Sequence, residues 1–266
     1  DGLKRSEGSS RVAVRAVADQ KMLHILSKGY RLEAELPLDG SSNDLRIVYI
    51  AWNSEKRLSA AIPLAQHVEG LKKIMGKCSV LPSSELIALE QWHKLIEVSN
   101  MDLRTATEIE DFFAEMFVEY PQDMKRERVM AMLEDYIIVT SRDHLNGVLG
   151  AVFMVHCTSA SVEGITIPLF EFNNVLANRD LPHRYLIPLM AYHAIKAVRD
   201  LKVQNPIIFA EARADAPALQ AACIAVEMKY CGTMAASFRM QEHREKEAAE
   251  YYKNAHVWHL PQTGLS

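Results

Sequence analysis

The chain has 266 residues, of which 49% are hydrophobic and 24% are charged, as is typical of a folded globular protein. Its 30 Lys and Arg residues and 34 Asp and Glu residues leave a formal net charge of −4. These values exclude a disordered, collagen-like or purely coiled-coil chain, and the lack of a basic excess argues against a nucleic-acid partner.

Four scattered cysteines form no CxxC pair, so we interpret them as reduced thiols. No apolar run approaches the roughly 18 to 20 residues of a membrane helix, and residues 1–10 lack the apolar segment of a signal peptide. No spacing of His, Cys, Asp or Glu indicates a metal site. We therefore expect a cytoplasmic protein without a membrane partner or a metal.

Residues 1–101 are predicted to form a smaller N-terminal α/β domain. Apolar residues at helical spacing and Gly29 as a stop signal predict the first helix. Strict alternation up to Pro37, followed by turn residues and a β-branched run, predicts a hairpin. The predicted elements are a helix at 18–27, strands at 30–37 and 45–52, and helices at 66–75 and 84–96.

Residues 102–266 follow a more regular pattern, so we place a domain boundary at 101/102. The predicted order is α-α-β-β-β-α-β-α-β-β, with Thr107 and Asp215 as N-caps of the first and last helices. In such β-α units, ligands bind near the carboxyl ends of the strands. The elements are helices at 105–120 and 126–134, strands at 135–140, 148–157 and 164–177, a helix at 183–201, a strand at 206–212, a helix at 216–228, and strands at 230–238 and 255–260.

This order resembles that of the GNAT N-acetyltransferase superfamily, and within it the β-lysine N-acetyltransferase group. The segments that carry the resemblance are Gly29-Tyr30-Arg31-Leu32-Glu33-Ala34-Glu35-Leu36-Pro37, Glu171-Phe172-Asn173-Asn174-Val175-Leu176-Ala177-Asn178-Arg179, Ile208-Phe209-Ala210-Glu211-Ala212-Arg213-Ala214, Met228-Lys229-Tyr230-Cys231-Gly232-Thr233 and His256-Val257-Trp258. The resemblance implies a mixed sheet flanked by helices, with an α/β N-terminal domain before it. It also implies transfer of an acetyl or other acyl group from acyl-CoA to the amine of a small molecule. An amino acid is one such acceptor.

The family's acetyl-CoA loop contains glycines, which let the backbone approach the pyrophosphate. The matching stretch here, residues 179–186, has no glycine and contains Pro182, which lacks an N–H. The resemblance implies that Arg179, His183 and Arg184 contact the pyrophosphate instead. The other cofactor-binding positions that it implies are Asn174, Val175, Leu176 and Tyr185.

Catalytic roles also follow from the resemblance. It implies that Glu171 is the base that deprotonates the amine and that Tyr230 is the acid for the leaving thiolate. Alternation in the strand puts Leu169, Glu171 and Asn173 on one face, and Phe170, Phe172 and Asn174 on the other. The alternatives are a solvent-facing Glu171 and a Tyr230 that belongs to the core.

Polar residues near the strand ends are candidates for substrate binding. Glu211 and Arg213 follow a buried strand, so they suit an ammonium and a carboxylate group respectively, or else they pair with each other. Asn173 is a third candidate. Asn174 either orients the substrate amine or stabilises a bulge in the strand.

Two alternatives to acetyl transfer stay open. The glycine-free loop suggests a catalytically inactive binding or interaction module that has lost normal acetyl-CoA binding. Open apolar space near Leu169 and Phe172 would instead favour an enzyme for longer acyl groups. A homodimer is retained as a partner option.

Overall fold

The structure is a computed structural model that describes residues 11–26, 30–38, 45–53, 55–59, 63–81, 84–85, 96–98, 102–120, 122–143, 146–162, 165–178, 181, 183–239, 241–242 and 252–262. We number its helices and strands in chain order. The first are β1 (Arg11–Ala18), α1 (Gln20–Leu26), β2 (Arg31–Pro37), β3 (Arg46–Asn53), α2 (Glu55–Ser59), α3 (Leu64–Met75) and β4 (Ile96–Val98).

The remaining elements follow the predicted order, with two short additional strands. They are α4 (Leu103–Met116), β5 (Phe117–Glu119), α5 (Arg126–Ala131), β6 (Tyr136–Arg142), β7 (Leu149–Val162), β8 (Ile165–Ala177), α6 (His183–Asp200), β9 (Ile207–Arg213), α7 (Pro217–Ala225), β10 (Lys229–Arg239), β11 (Gln241–Glu242) and β12 (Tyr252–Leu260). Strand β1 is not part of the sequence-based prediction. The helix predicted over 84–96 lies mostly outside the described residues, and its last residue begins β4.

The two predicted N-caps are wrong. Helix α4 begins at Leu103 because the Asp102 carboxylate accepts the Thr105 N–H at 2.7 Å, whereas Thr107 lies inside the helix. The first residue before α7 is Ala216, which has no side chain able to cap. Asp215 instead accepts hydrogen bonds from Arg213.

Ten strands form one mixed sheet in the order β1-β3-β2-β10-β12-β9-β8-β7-β6-β4. Strands β8 and β9 are parallel, and the other neighbouring strands are antiparallel. Helices cover both faces, so the predicted mixed α/β fold class is confirmed. Strands from both sides of residue 101 belong to this sheet, and the division into two domains there stays a prediction.

Three hydrophobic clusters hold the layers together. Helices α6 and α7 pack on one face, where Phe172 and Met190 are completely buried. Helices α4 and α5 pack on the opposite face, around Ile109 and Met154. The third cluster has residues of β2 and β3 in contact with residues of β8 and β9.

The third cluster shows that the sheet curls on itself. Four strands separate β1 from β9 in the sheet, so in a flat sheet the two would lie about 24 Å apart at about 4.8 Å per step. Arg15 of β1 nevertheless contacts Glu211 of β9. The N-terminal strands therefore fold back over the face of β8 and β9.

The curled part of the sheet is joined to the rest where β2 meets β10, at the pair Ala34 and Gly232. Gly232 has a φ of +150°, and a Cβ atom there would lie 2.6 Å from Ala34 Cα. Beside this contact, Arg11 donates to the Glu33 carboxylate at 2.7 Å and to the Ala235 carbonyl at 2.7 Å, and Glu33 accepts the Ala235 N–H at 3.0 Å. Glycine and this hydrogen-bonded ion pair together allow β2 to dock.

Replacing Gly232 by alanine tests this contact. The added methyl group would push β2 away from β10, and alanine is strained at this φ, so we expect a loss of about 2 to 4 kcal/mol of unfolding free energy. Urea denaturation measures the loss. The control is Gly70→Ala in α3, where a Cβ meets nothing within 4 Å, and it should stabilise the protein by about 0.5 to 1 kcal/mol. Equal stability of Gly232→Ala and the parent protein would contradict the proposed close packing.

Candidate active site

Strands β8 and β9 separate at their carboxyl ends. Their parallel pairing runs from Leu169 and Ile207 to Phe172 and Ala210. Strand β8 then continues to Ala177 and β9 to Arg213, with no further pairing between these described segments. Helices α6 and α7 begin shortly after these two ends. A crevice between diverging parallel strands, with helix N-termini beside it, is a common place for an anionic ligand.

A β-bulge in β8 changes which side chains face this crevice. Phe153 pairs with Val175 and Val155 pairs with Phe172, so Asn173 and Asn174 together oppose one residue of β7. The sequence-based prediction put Asn174 and Glu171 on opposite faces of the strand, and this is wrong. Because the bulge inserts one extra residue, the two side chains lie on the same face. The alternative in which Asn174 belongs to a strand bulge therefore describes its position.

Hydrogen bonds hold the buried Asn174 side chain on both sides. Tyr120 donates its hydroxyl to Asn174 Oδ1 at 2.5 Å, and Asn174 Nδ2 donates to Gln122 Oε1 at 2.7 Å. This side chain therefore connects the bulge to the segment that follows β5. Gln122 in turn lies 3.5 Å from the Tyr136 hydroxyl.

Two carboxylates meet on the face beneath the curled strands. Glu171 of β8 and Glu211 of β9 both contact Arg15 Nη1, at 3.0 Å and 3.6 Å respectively. The side chains of Glu171 and Glu211 are 14% and 16% exposed, and that of Arg15 is 34% exposed. The structure thus brings two of the residues predicted from the sequence into one site, and adds a cation from β1.

These groups line a cavity of about 360 Å³. Its charged and hydroxyl lining includes Arg11, Arg15, Glu33, Tyr49, Glu171 and Glu211. Tyr49 is 5% exposed, and its hydroxyl has no hydrogen-bond partner among the described residues. Sequence reasoning missed Arg15 and Tyr49, because each lies in a strand without a motif and only the curl of the sheet brings it to the carboxylates.

The cavity changes the acidity of two groups. Burial and the negative charge of Glu171 raise the pKa of Glu211 to about 8, although Arg15 and the nearby Tyr49 hydroxyl act in the opposite direction. Burial and the charge of Glu211 raise the pKa of Tyr49 well above its usual value, so Tyr49 is neutral. Glu211 is therefore a carboxyl group that gains and loses its proton near neutral pH.

Tyr230 lies elsewhere. It pairs with Trp258, which pairs with Ala210, and these side chains share the face covered by α6 and α7. Its ring packs edge-on against those of His256 and Trp258, and its hydroxyl is 2.6 Å from Thr233 Oγ1. Glu171 lies on the opposite face of the sheet, and the role of Tyr230 as the acid stays a prediction.

Arg213 does not pair with Glu211. Its guanidinium group donates to both carboxylate oxygens of Asp215, at 2.8 Å and 2.9 Å, and Lys253 Nζ is 3.5 Å from the same carboxylate. A substrate carboxylate would have to compete with Asp215 for this arginine. Asn173 is half-buried at the bulge, and its predicted role in substrate binding stays a prediction.

The predicted cofactor contacts are described only in part. Arg179 lies outside the described residues, and so do the side chains of His183 and Arg184 in the first turn of α6. Tyr185 in the same turn is 41% exposed. The side chains of Val175 and Leu176 pack into the hydrophobic clusters on opposite faces of the sheet. Only their backbone N–H and C=O groups are therefore placed to contact a ligand in the crevice. These contacts stay predictions.

Open apolar space, which would favour an enzyme for longer acyl groups, is not present at Leu169 and Phe172. Leu169 is 4% exposed and Phe172 is fully buried, each within a hydrophobic cluster. Among the described residues, no group of three or more His, Cys, Asp or Glu side chains could hold a metal ion. The described helices include none that is long and apolar enough to cross a membrane.

Comparison with known proteins gives limited structural similarity. No protein-family model matches the chain, and no curated protein matches it. Among solved structures, an N-acetyltransferase from Staphylococcus aureus Mu50 is 11% identical, with a TM-score of 0.45 over 62% of this chain and 96% of the other. The ribosomal-protein-S18-alanine N-acetyltransferase from Escherichia coli is 12% identical, with a TM-score of 0.43 over 63% and 94%.

A third structure, the ribosomal-protein-S5-alanine acetyltransferase from Vibrio fischeri, is 6% identical, with a TM-score of 0.48 over 62% of this chain and 91% of the other. Such low identities and TM-scores do not establish a shared function. The function therefore has to be inferred from the geometry of the site.

The raised pKa of Glu211 predicts how stability depends on pH. In the unfolded chain a glutamate titrates near pH 4.3, so between about pH 4.3 and 8 the folded state holds a proton that the unfolded state has lost. Stability contributed by this group is therefore present at low pH and lost as pH rises through 8. We expect Glu211→Gln to gain stability relative to the parent protein over this range, by at most about 1.4 kcal/mol per pH unit.

Urea denaturation from pH 5 to pH 9 measures this difference. The control is Glu35→Gln, which removes a half-exposed carboxylate that pairs with Arg46 at 2.6 Å, outside the lining of the cavity. A stability difference for Glu211→Gln that stays constant with pH would show that Glu211 titrates at an ordinary pKa in the folded protein.

Proposed function

We propose that the protein transfers an acyl group, such as acetyl, from acyl-CoA to the amine of a small molecule. The observation that carries this proposal is the Glu211 carboxyl group, which is mostly covered at the point where β8 and β9 separate and beside Glu171, so that its pKa is raised to about 8. An amine attacks a thioester only after it has lost its extra proton, and a base whose pKa lies near the working pH is best suited to accept that proton.

In this proposal Glu211, rather than Glu171, is the general base. Glu171 keeps its place in the site as the carboxylate that holds Arg15 and attracts a cationic acceptor. The cavity beside the two carboxylates has room for a small amine, and Tyr49 lines it together with them. Held close together, the amine and the thioester need no covalent enzyme intermediate.

In this proposal acyl-CoA binds in the crevice between β8 and β9. Beyond Phe172, the backbone of β8 faces the crevice without pairing to β9, so its polar groups are available to an extended chain. The first turn of α6 contributes N–H groups and the positions of His183 and Arg184 for the phosphates. When bound, acyl-CoA would supply the activated thioester: the amine nitrogen bonds to the acyl carbon while its proton passes to Glu211, the C–S bond breaks, and CoA leaves as a thiolate that takes up a proton from solvent.

Binding of acyl-CoA is the first test. A ligand that binds the native state raises its stability, by about 2.7 kcal/mol when its concentration is 100 times Kd. We expect acetyl-CoA or a longer acyl-CoA to raise the unfolding temperature in a thermal-shift titration. If no acyl-CoA has an effect at millimolar concentration, the enzyme proposal fails and the inactive binding module takes its place.

Activity tests the base. Release of free CoA thiol, followed with a panel of small amines, should show a rate that rises with pH through about 8, because only deprotonated Glu211 accepts the proton. Glu211→Gln should lower kcat/KM by about 10²- to 10⁴-fold. The control variant Glu35→Gln should retain full activity. A Glu211→Gln variant as active as the parent protein would rule out this residue as the base.

A further inference from the structure

Arg15 occupies an unusual position for a residue of an edge strand. It belongs to β1, at the end of the sheet, yet its guanidinium group lies between carboxylates of two strands near the middle. The same group lies over the Phe209 ring, 5.2 Å from its centroid. Both ion-pair contacts are made by Nη1, so a single nitrogen of Arg15 connects Glu171 and Glu211.

We propose that Arg15 is a positioning residue, which holds the Glu171 and Glu211 carboxylates side by side and keeps Glu211 able to lose its proton. The inference rests on the proposed function only in so far as Glu211 is the base of that reaction. Its physical basis is general: two carboxylates that share a site repel each other, and a cation in contact with both favours their charged forms.

Other charged and titratable groups around the pair do not replace Arg15. Arg11, also on β1, pairs with Glu33 of β2 at 2.7 Å, and it lowers the pKa of Glu211 less than Arg15 does. Tyr49 of β3 is neutral, because its pKa is raised by burial and by Glu211. On β6, the pKa of Tyr136 is raised by burial and, to a smaller extent, by Glu171, so it is neutral as well.

Arg15 itself stays positively charged at every pH used in these experiments. Burial alone would lower its pKa, but the neighbouring side chains of Tyr49 and Glu171 raise it above its ordinary value. A permanent cation suits this role, because it stabilises a negative Glu211 without taking up or giving up a proton. Strand β1 is then part of the candidate active site, although Arg15 lies 156 residues before Glu171 in the chain.

The effect of Arg15 can be measured without a substrate. In protein labelled with ¹³C at the glutamate carboxyl carbons, NMR follows the titration of each carboxyl group, and the Glu211→Gln variant identifies the Glu211 signal. We expect Arg15→Met to raise the pKa of Glu211 by about 1 to 3 pH units, because the attractive charge is removed. Arg15→Lys keeps the positive charge, so the pKa of Glu211 should stay close to its value in the parent protein.

The control is Arg46→Met. Arg46 forms a similar half-exposed ion pair, with Glu35 at 2.6 Å, and does not line the cavity, so the Glu211 titration should not change. Where Arg15→Met does not fold, Arg15→Gln removes the charge but keeps a hydrogen-bond donor, and it should raise the same pKa. An unchanged Glu211 titration in the folded neutral variants overturns the proposal and leaves Arg15 as a structural contact.

Activity then separates this proposal from the proposed function. In Arg15→Met and Arg15→Gln, the pH at which kcat/KM rises should increase by the same amount as the pKa of Glu211. The rate at pH 7 should then fall about tenfold for each pH unit of that increase. A loss of activity that is equal at all pH values contradicts a positioning role. If the NMR titration moves but no variant, nor the parent protein, transfers an acyl group, the proposed function fails while the effect of Arg15 on Glu211 stands.

Discussion

Strand β2 can approach β10 only because residue 232 is a glycine. A side chain there would collide with the backbone of β2, and the Arg11–Glu33 ion pair beside it satisfies both backbone groups of Ala235. This contact connects the three N-terminal strands to the rest of the sheet. The sheet then curls so far that β1 and β3 face β8 and β9, and the candidate site exists only as a result of that curl.

The curl also determines the electrostatics of the site. Two carboxylates on neighbouring strands would ordinarily be solvated, but here the N-terminal strands cover them and Arg15 enters between them. Covering the carboxylates raises the pKa of Glu211, whereas the arginine limits how far it rises. The raised pKa lowers the free energy of unfolding at high pH, and it also makes Glu211 titrate near neutral pH.

Strand β8 combines two irregularities on one stretch of chain. Its pairing with β9 ends at Phe172, which opens the crevice, and its bulge at Asn173 and Asn174 turns the Asn174 side chain towards the segment after β5. The hydrogen bonds from Tyr120 and to Gln122 then hold that bulge in place. Bulges next to binding sites commonly redirect a side chain in this way.

The sequence by itself determined the elements, because hydrophobic periodicity and turn residues act within a few residues of each other. It thereby predicted nearly every strand and helix of residues 102–266, and it placed Glu211 at the end of a buried strand, while the resemblance singled out Glu171. It could not show that Tyr230 faces away from Glu171, that a bulge turns Asn174 over, or that Arg213 bonds to Asp215. Only the tertiary structure decided that Arg15 and Tyr49 join the carboxylates. Alternation tells which face of its own strand a side chain occupies, whereas the curl that brings two distant faces together depends on packing across the whole sheet.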